Sequence, residues 1–303
     1  NIDLNSLKGE IDFETGSVYN SSSLEKSVNN ISFKLGNDGF AFVNVQSILD
    51  LDRSANLVDI TLKITAASKV YVERINIKGN ERTLDKVIRR EFNFSEGDPY
   101  NSQKIRTSIN KIKNLGLFDK VDLQTLKGSS QDKSILDVEV QEKSTGELNL
   151  GLGVSSSDGP IGDFSIKERN FLGRGQKLST SLRLSSKSQE IDLSYTDPYF
   201  RDNNYSAGFD IFRKSADLQD QSSFNSKTVG FSLRLGYPVT DKVKSKFSYT
   251  LRKDTIADFS TDISPFIQSE RGSKLESSLG YQLSYNDLNN FMFPTEVFFF
   301  NFV

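Results

Sequence analysis

Gly146-Glu147-Leu148-Asn149-Leu150-Gly151-Leu152-Gly153-Val154 decides how the second half of this chain folds. Leu148, Leu150, Leu152 and Val154 take every second position, and Asn149, Gly151 and Gly153 take those between. A period of two puts the two sets on opposite faces of a strand, whereas a helix repeats every 3.6 residues. The alternation recurs downstream. Leu178, Thr180, Leu182 and Leu184 oppose Ser179, Ser181 and Arg183; Ile191, Leu193 and Tyr195 oppose Asp192, Ser194 and Thr196; Tyr205, Ala207, Phe209 and Ile211 oppose Ser206, Gly208 and Asp210. It continues through 229–237, 247–251 and 279–285, and strand starts fall near residues 146, 161, 177, 189, 204, 227, 242, 274 and 295.

These segments run to about ten residues, the length that crosses a hydrocarbon layer at barrel tilt. Polar links such as Ser155 to Pro160 and Asp217 to Lys227 separate them. A soluble sandwich is the competing reading, but its strands average nearer five or six residues and its outward face carries more charge than the Ser, Gly, Thr and Asn found here. A membrane barrel also accounts for a mean hydropathy of -0.45 in a chain with 23 Phe, because only alternate residues face lipid. Tyr195, Tyr199, Tyr205, Tyr237 and Tyr285 sit near strand ends, where an interfacial girdle belongs. Nine starts is an odd number, and an open edge in lipid is not viable, so either the count is off by one or the barrel continues beyond Val303.

Upstream of residue 146 the pattern is different. Gly16-Ser17-Val18-Tyr19-Asn20-Ser21 recurs about 80 residues further on as Gly97-Asp98-Pro99-Tyr100-Asn101-Ser102, a spacing suited to small independent domains. Each copy continues into a helical stretch, Leu24 to Leu35 and Ser102 to Leu115, the second with Ile105, Ile109 and Ile112 on one face. Gly39 and Gly116 then read as helix stops before strands at Phe40 to Val45 and Leu117 to Leu123. A second strand closes each copy, Leu57 to Ile64 and Ile135 to Val140, the latter alternating imperfectly. Only the second copy has an opening strand, Val70 to Lys78, a turn at Gly79-Asn80 and a short helix over Thr83 to Phe92. The unit is β-α-α-β-β, and the missing first strand of copy one points to a longer parent chain. A generic pair of α+β domains fits this pattern equally well.

Composition narrows the chemistry. Lys and Arg number 38 against 40 Asp and Glu, a net charge of -2 that argues against a dedicated nucleic-acid binder. Without Cys or His the chain has no thiol nucleophile, disulfide or imidazole base, and lacks most transition-metal ligand sets. Phe171 to Gln176 contains Gly-x-Gly but leads into a strand, so no helix N-terminus is there to hold phosphate. Asp197 and Asp202 form a chance pair among 40 acidic residues.

In chain order, Gly79-Asn80 after a strand, Arg89-Arg90-Glu91, Leu115-Gly116-Leu117-Phe118, Asn170-Phe171-Leu172-Gly173-Arg174-Gly175-Gln176, Thr196-Asp197-Pro198-Tyr199-Phe200 and Phe293-Pro294-Thr295 match one family. The sequence resembles the BamA family of bacterial outer-membrane barrel-assembly factors, which carry periplasmic POTRA domains. The resemblance spans nearly the whole chain. It implies α+β POTRA domains followed by an antiparallel transmembrane β-barrel of which about the first half is present. Residues 1–67 correspond to most of the fourth POTRA domain, 68–144 to the fifth, and 145–303 to the N-terminal part of a sixteen-stranded barrel. The family's Val/Ile-Arg-Gly-Phe/Tyr signature is missing, Glu270-Arg271-Gly272-Ser273 being no match for it, and Glu296-Val297 follows Pro294-Thr295 where the family has an acidic residue and Gly.

What the resemblance implies for function is a protein without catalytic chemistry or cofactor, set in the bacterial outer membrane with its POTRA domains in the periplasm. It would fold and insert other barrels. Its partners would be unfolded outer-membrane proteins, accessory assembly lipoproteins and the lipid bilayer. Leu148, Asn149, Leu150, Gly151, Leu152, Gly153 and Val154 would template an incoming strand at a lateral seam. Phe118, Asp119, Lys120, Val121, Asp122, Leu123 and Gln124 would offer a sheet edge to clients, and Arg89, Arg90 and Glu91 would dock a lipoprotein. For Gly151 and Gly153, relief of crowding inside a barrel explains the residues at least as well; for Phe118 to Gln124 and for the charged triplet, a solvated strand and a solvated face are the plainer explanations. A secretion transporter of the same superfamily and a passive porin remain as alternatives.

Overall fold

The computed structural model describes residues 3–66, 69–240, 242–258, 265–286 and 299–302. The chain divides into two units, Asn1–Lys143 and Ser144–Val303.

In the first unit α1 (Leu4–Lys8) and α2 (Ser21–Asn37) precede an antiparallel hairpin of β1 (Val43–Asp52) and β2 (Leu57–Ala66). Leu7, Ile31 and Leu35 form its small core, with Phe40, Val43, Val45, Leu62 and Ile64 packed against them. A second module follows: β3 (Tyr71–Lys78), α3 (Asp85–Arg89), α4 (Ser102–Asn114), β4 (Phe118–Lys127) and β5 (Lys133–Glu142). Its sheet has the order β3-β5-β4, with β3 parallel and β4 antiparallel to β5. Ile88, Ile112, Leu136 and Val138 are fully buried between helices and sheet, each contributing about 1.5–3 kcal/mol of burial.

The repeated Tyr-Asn-Ser motif has a physical cause. Asn20 and Asn101 are both helix N-caps in extended conformation, their side chains accepting from the N–H of Ser22 (2.9 Å) and Lys104 (2.8 Å). Asn101 also donates to the Asn37 carbonyl at 3.0 Å, and Gln103 N–H donates to Asn37 Oδ1 at 2.7 Å, so the second cap ties α4 to the end of α2.

Three local expectations are corrected. The strand placed at Phe40 starts at Val43, because Phe40 N–H donates to Leu35 O (3.0 Å) across Gly39 at φ +101 and closes α2. The helix placed over Thr83 to Phe92 is confined to Asp85–Arg89, since the Arg82 and Thr83 N–H groups are held by Glu142 and Asn80 donates to the Thr83 carbonyl. In β5 the alternation is strict, with Ser134, Leu136, Val138 and Val140 turned inward; Ile135 lies on the other face.

The second unit is one antiparallel meander of nine described strands: β6 (Gly146–Ser155), β7 (Gly159–Phe171), β8 (Gln176–Ser185), β9 (Ser188–Asp197), β10 (Ser206–Asp217), β11 (Asn225–Pro238), β12 (Val243–Ala257), β13 (Gly272–Asn286) and β14 (Phe299–Phe302). The first eight begin within two residues of the expected positions. The ninth expected start, residue 295, and Phe293-Pro294-Thr295 lie outside the described residues.

Register converts alternation into two continuous surfaces. On one, Leu150 faces Phe164, which faces Leu182, which faces Ile191, and farther on Ile211 faces Phe231. This face is exposed, with Leu150 at 74% and Leu279 at 86% of full accessibility, far beyond the scattered apolar residues of an ordinary soluble surface. On the other face a single rung crosses seven strands as Asp163, Arg183, Glu190, Lys214, Thr228, Asp254 and Lys274, each opposite the next. Along it Arg183 lies 3.4 Å from Asp163, Lys214 lies 3.7 Å from Glu190, and Thr228 donates to Asp254 at 2.6 Å. Tyr195, Tyr199, Tyr205, Tyr237 and Tyr285 all come to the same rim of the sheet, where β9, β11 and β13 end and β10 begins.

Candidate functional site

β6 closes one side of the large sheet. It pairs with β7 from Gly146 opposite Glu168 to Ser155 opposite Gly159, and among the described residues nothing pairs with its other side. Its backbone therefore presents a row of N–H and C=O groups, a template for another strand. Leu148, Leu152 and Val154 are exposed, Leu152 at 95%. On the polar face Asn149 Nδ2 donates to Ser165 Oγ at 3.3 Å and Gly151 sits opposite Asp163, which Arg183 already engages. Glu147 pairs with Arg169 at the strand's start.

Glycine serves different ends along this sheet. A methyl group at Gly208 would come within 2.7 Å of the Tyr195 carbonyl oxygen, and at Gly230 within 2.8 Å of the Leu251 carbonyl oxygen; there, close packing requires glycine. At Gly151 the same methyl would make ordinary contact, 3.4 Å from Asp163 Cβ, and at Gly153 it would meet nothing within 4 Å. Crowding within this sheet thus does not explain the β6 glycines, which leave their strand light on side-chain packing.

The second candidate edge is β4, the outer strand of the small sheet, which among the described residues pairs only with β5. A bulge between Phe118 and Lys120 resets the alternation, so Phe118 and Val121 are buried, Leu123 is half-buried, and Asp119, Lys120, Asp122 and Gln124 are exposed. Lys120 and Asp122 form an ion pair at 2.5 Å. That pairing, led by its hydrogen bond, holds the Lys120 ammonium above its ordinary value.

Arg89-Arg90-Glu91 is less open than a charged triplet suggests. Glu91 is buried at 6% exposure beside Arg90 (3.9 Å), so no uniformly solvated charged face exists there. Arg89 binds Asp85 at 2.7 Å and Glu96 at 3.4 Å and donates to the Ile75 carbonyl at 3.2 Å. Contact with Asp85, first through its hydrogen bond, holds the guanidinium above its usual value.

The two turn motifs are tied together in a way the sequence reading did not foresee. Leu172, Gly173 and Gly175 take positive φ in the β7–β8 turn, and Asn170 Oδ1 accepts from Gly175 N–H at 2.8 Å, leaving a tight turn. From the next residue Gln176 donates to Asp197 Oδ2 at 2.9 Å, while Asp197 Oδ1 accepts from Tyr199 N–H at 3.0 Å. Asp197 is thus occupied in joining two turns. Spacing alone gave no signal for a bond between residues 21 apart.

Comparison with known proteins adds a family context to this geometry. The family model described as "Omp85 superfamily domain" matches residues 170–303, and the POTRA model, described as "Surface antigen variable number repeat", matches 1–67 and 70–143. The outer membrane protein assembly factor BamA of Neorickettsia risticii is 31% identical over 293 residues, covering 97% of this chain and 39% of its own length. That of Neisseria meningitidis serogroup B is 28% identical, covering 82% of this chain and 32% of its own. The chain therefore spans about two fifths or less of the length of these relatives. In fold it matches the crystal structure of BamA from Haemophilus ducreyi lacking POTRA domains 1-3, with a TM-score of 0.73 and 24% identity over 96% of this chain and 58% of that one.

Proposed function

The chain belongs to the Omp85 superfamily, and from that premise we propose that it is part of a machine that folds β-barrel proteins and inserts them into the bacterial outer membrane. In this reading it does no covalent chemistry and needs no cofactor. The POTRA modules, residues 1–67 and 68–144, lie in the periplasm, and the sheet from residue 145 onward is the first half of a barrel whose apolar face meets lipid. An uncovered apolar face of this extent has a natural solvent in acyl chains, and alternate polar residues then face the barrel's interior. Apart from these, the partners are unfolded outer-membrane proteins and accessory lipoproteins, the latter docking near Arg89 and Arg90.

The observation that carries the reading is the edge of β6. A strand entering lipid with unpaired backbone groups loses several kcal/mol for each group left unsatisfied, so it needs a pairing partner throughout entry. Leu148 to Val154 supply such a partner by strand addition at a lateral seam, with glycines that make the seam easy to open. The free edge of β4 plays the same part earlier, for clients still in water.

Single cysteines placed in turn at residues 148 to 154, in cells expressing a stalled client barrel with cysteines in its terminal strand, test the seam. Crosslinks should form in register, strongest at alternate positions that share a face. Uniform absence of crosslinks, with the same clients captured elsewhere on the chain, would discard templating at β6.

A further inference from the structure

α4 carries Lys104, Arg106, Lys111 and Lys113 and no acidic residue. Among the described residues none of these four takes part in an ion pair, although ion pairs are frequent elsewhere in the module. Seven residues separate Arg106 from Lys113, nearly two full turns, so both lie on one face of the helix, with Asn110 between them; Lys104 and Lys111 share the opposite flank. A groove of about 540 Å³ runs along the first flank, with Arg106, Ile109 and Lys113 on one wall, Val121 and Leu123 of β4 on the other, and Phe33 of α2 at its end. Its apolar floor is well packed, Ile109 and Val121 being buried at 8% and 6%. Arg106 is set over the Phe33 ring at 5.8 Å, which orients the guanidinium at the groove's end without neutralising it. The groove's acid, Asp122, is already matched by Lys120.

We infer that this groove selects extended segments bearing carboxylates on either side of an apolar residue. The inference rests on β4 being a strand-addition edge and adds to it a preference in charge. A segment paired to β4 projects alternate side chains toward α4, and positions four apart on that face are separated by about 13 Å. Arg106 and Lys113 are about 10 Å apart along the helix axis, and their long side chains close the difference. The pattern that fits is therefore acid, any, apolar, any, acid, with the apolar side chain over Ile109. Residues on the segment's other face are not read by α4.

The test uses the full chain in detergent micelles and three fluorescein-labelled ten-residue peptides, identical except for Glu, Gln or Lys at the two flanking positions. Fluorescence anisotropy should rank them acidic, neutral, basic, the acidic peptide binding about tenfold or more tighter than the basic at low salt, with the gap shrinking as salt is added. The order should invert in R106E/K113E and persist in K104E/K111E, which changes as much charge on the opposite flank. Should charge reversal impair folding, R106Q/K113Q is expected to abolish the ranking while the neutral peptide still binds. Equal binding of all three peptides, with the β4 amides protected from exchange, would overturn the charge preference and leave strand addition standing. No binding by any peptide would overturn both.

Discussion

Glu142 shows how one carboxylate organises a module. It ends β5 and reaches the loop before α3, where it accepts from the Arg82 N–H at 3.0 Å and the Thr83 N–H at 2.7 Å. Partial burial works to raise its pKa, but the hydrogen bonds from Thr83 and Arg82 outweigh it and hold the group below its ordinary value. Asp137 is also lowered, first by its hydrogen bond from Lys78 (2.8 Å) and then by that from Asn76 (2.6 Å). Because both folded-state values are depressed, their stabilisation is complete above the ordinary carboxylate range and is lost as pH falls through the folded values, below about pH 4. Denaturant midpoints of the POTRA modules should therefore drop between pH 5 and pH 3 by more than those of a variant carrying E142Q. A parallel pH response in the two proteins would assign the acid sensitivity elsewhere.

At the scale of strands, the polar rung pins the register of the large sheet. A slip of two residues keeps every side chain on its face but sets unlike partners beside one another, so alternation alone does not forbid it. Arg183 stands between Asp163 and Glu190 in the rung, and R183E would line up three negative charges in adjacent strands. R183E is expected to lower the sheet's melting temperature by several degrees, and D163R/R183E to recover part of the loss, as read by circular dichroism in detergent. The two faces of strands such as Leu148 to Val154 and Leu178 to Leu184 were legible from periodicity, because a period of two needs only the chain itself. The rung was not, because it emerges only when seven strands are set in register. Similar reasons explain the smaller misses. Phe40 looked like strand and is a helix closure, and Thr83 looked like helix but is held by Glu142, a partner 59 residues away. The glycines of β6 were legible as glycines, but only coordinates separate them from the crowded Gly208 and Gly230. For β4, order in the sequence suggested a strand, and sheet topology put that strand on the outside.

For the molecule as a whole, two faces of one sheet ask for two solvents. If acyl chains supply the first, the same substitution should have very different effects on the two sides. L233R puts a guanidinium midway along β11 on the apolar face, where a charge near the bilayer centre costs about 2–4 kcal/mol. N149R puts it on the polar face and should change stability by well under half of that. Reversible unfolding of the whole protein in lipid vesicles compares them; equal effects would remove lipid from the account of this face. A quieter consequence follows from where the rung stops. It ends at Asp163, one strand short of the edge, and between Glu147 and Ser155 the polar side of β6 offers only Asn149, Gly151 and Gly153. If β6 is the seam proposed above, a newcomer aligned there would find neither friend nor foe for whatever ions it bears; admission would then be decided by backbone and oiliness, and one doorway would serve many unrelated guests.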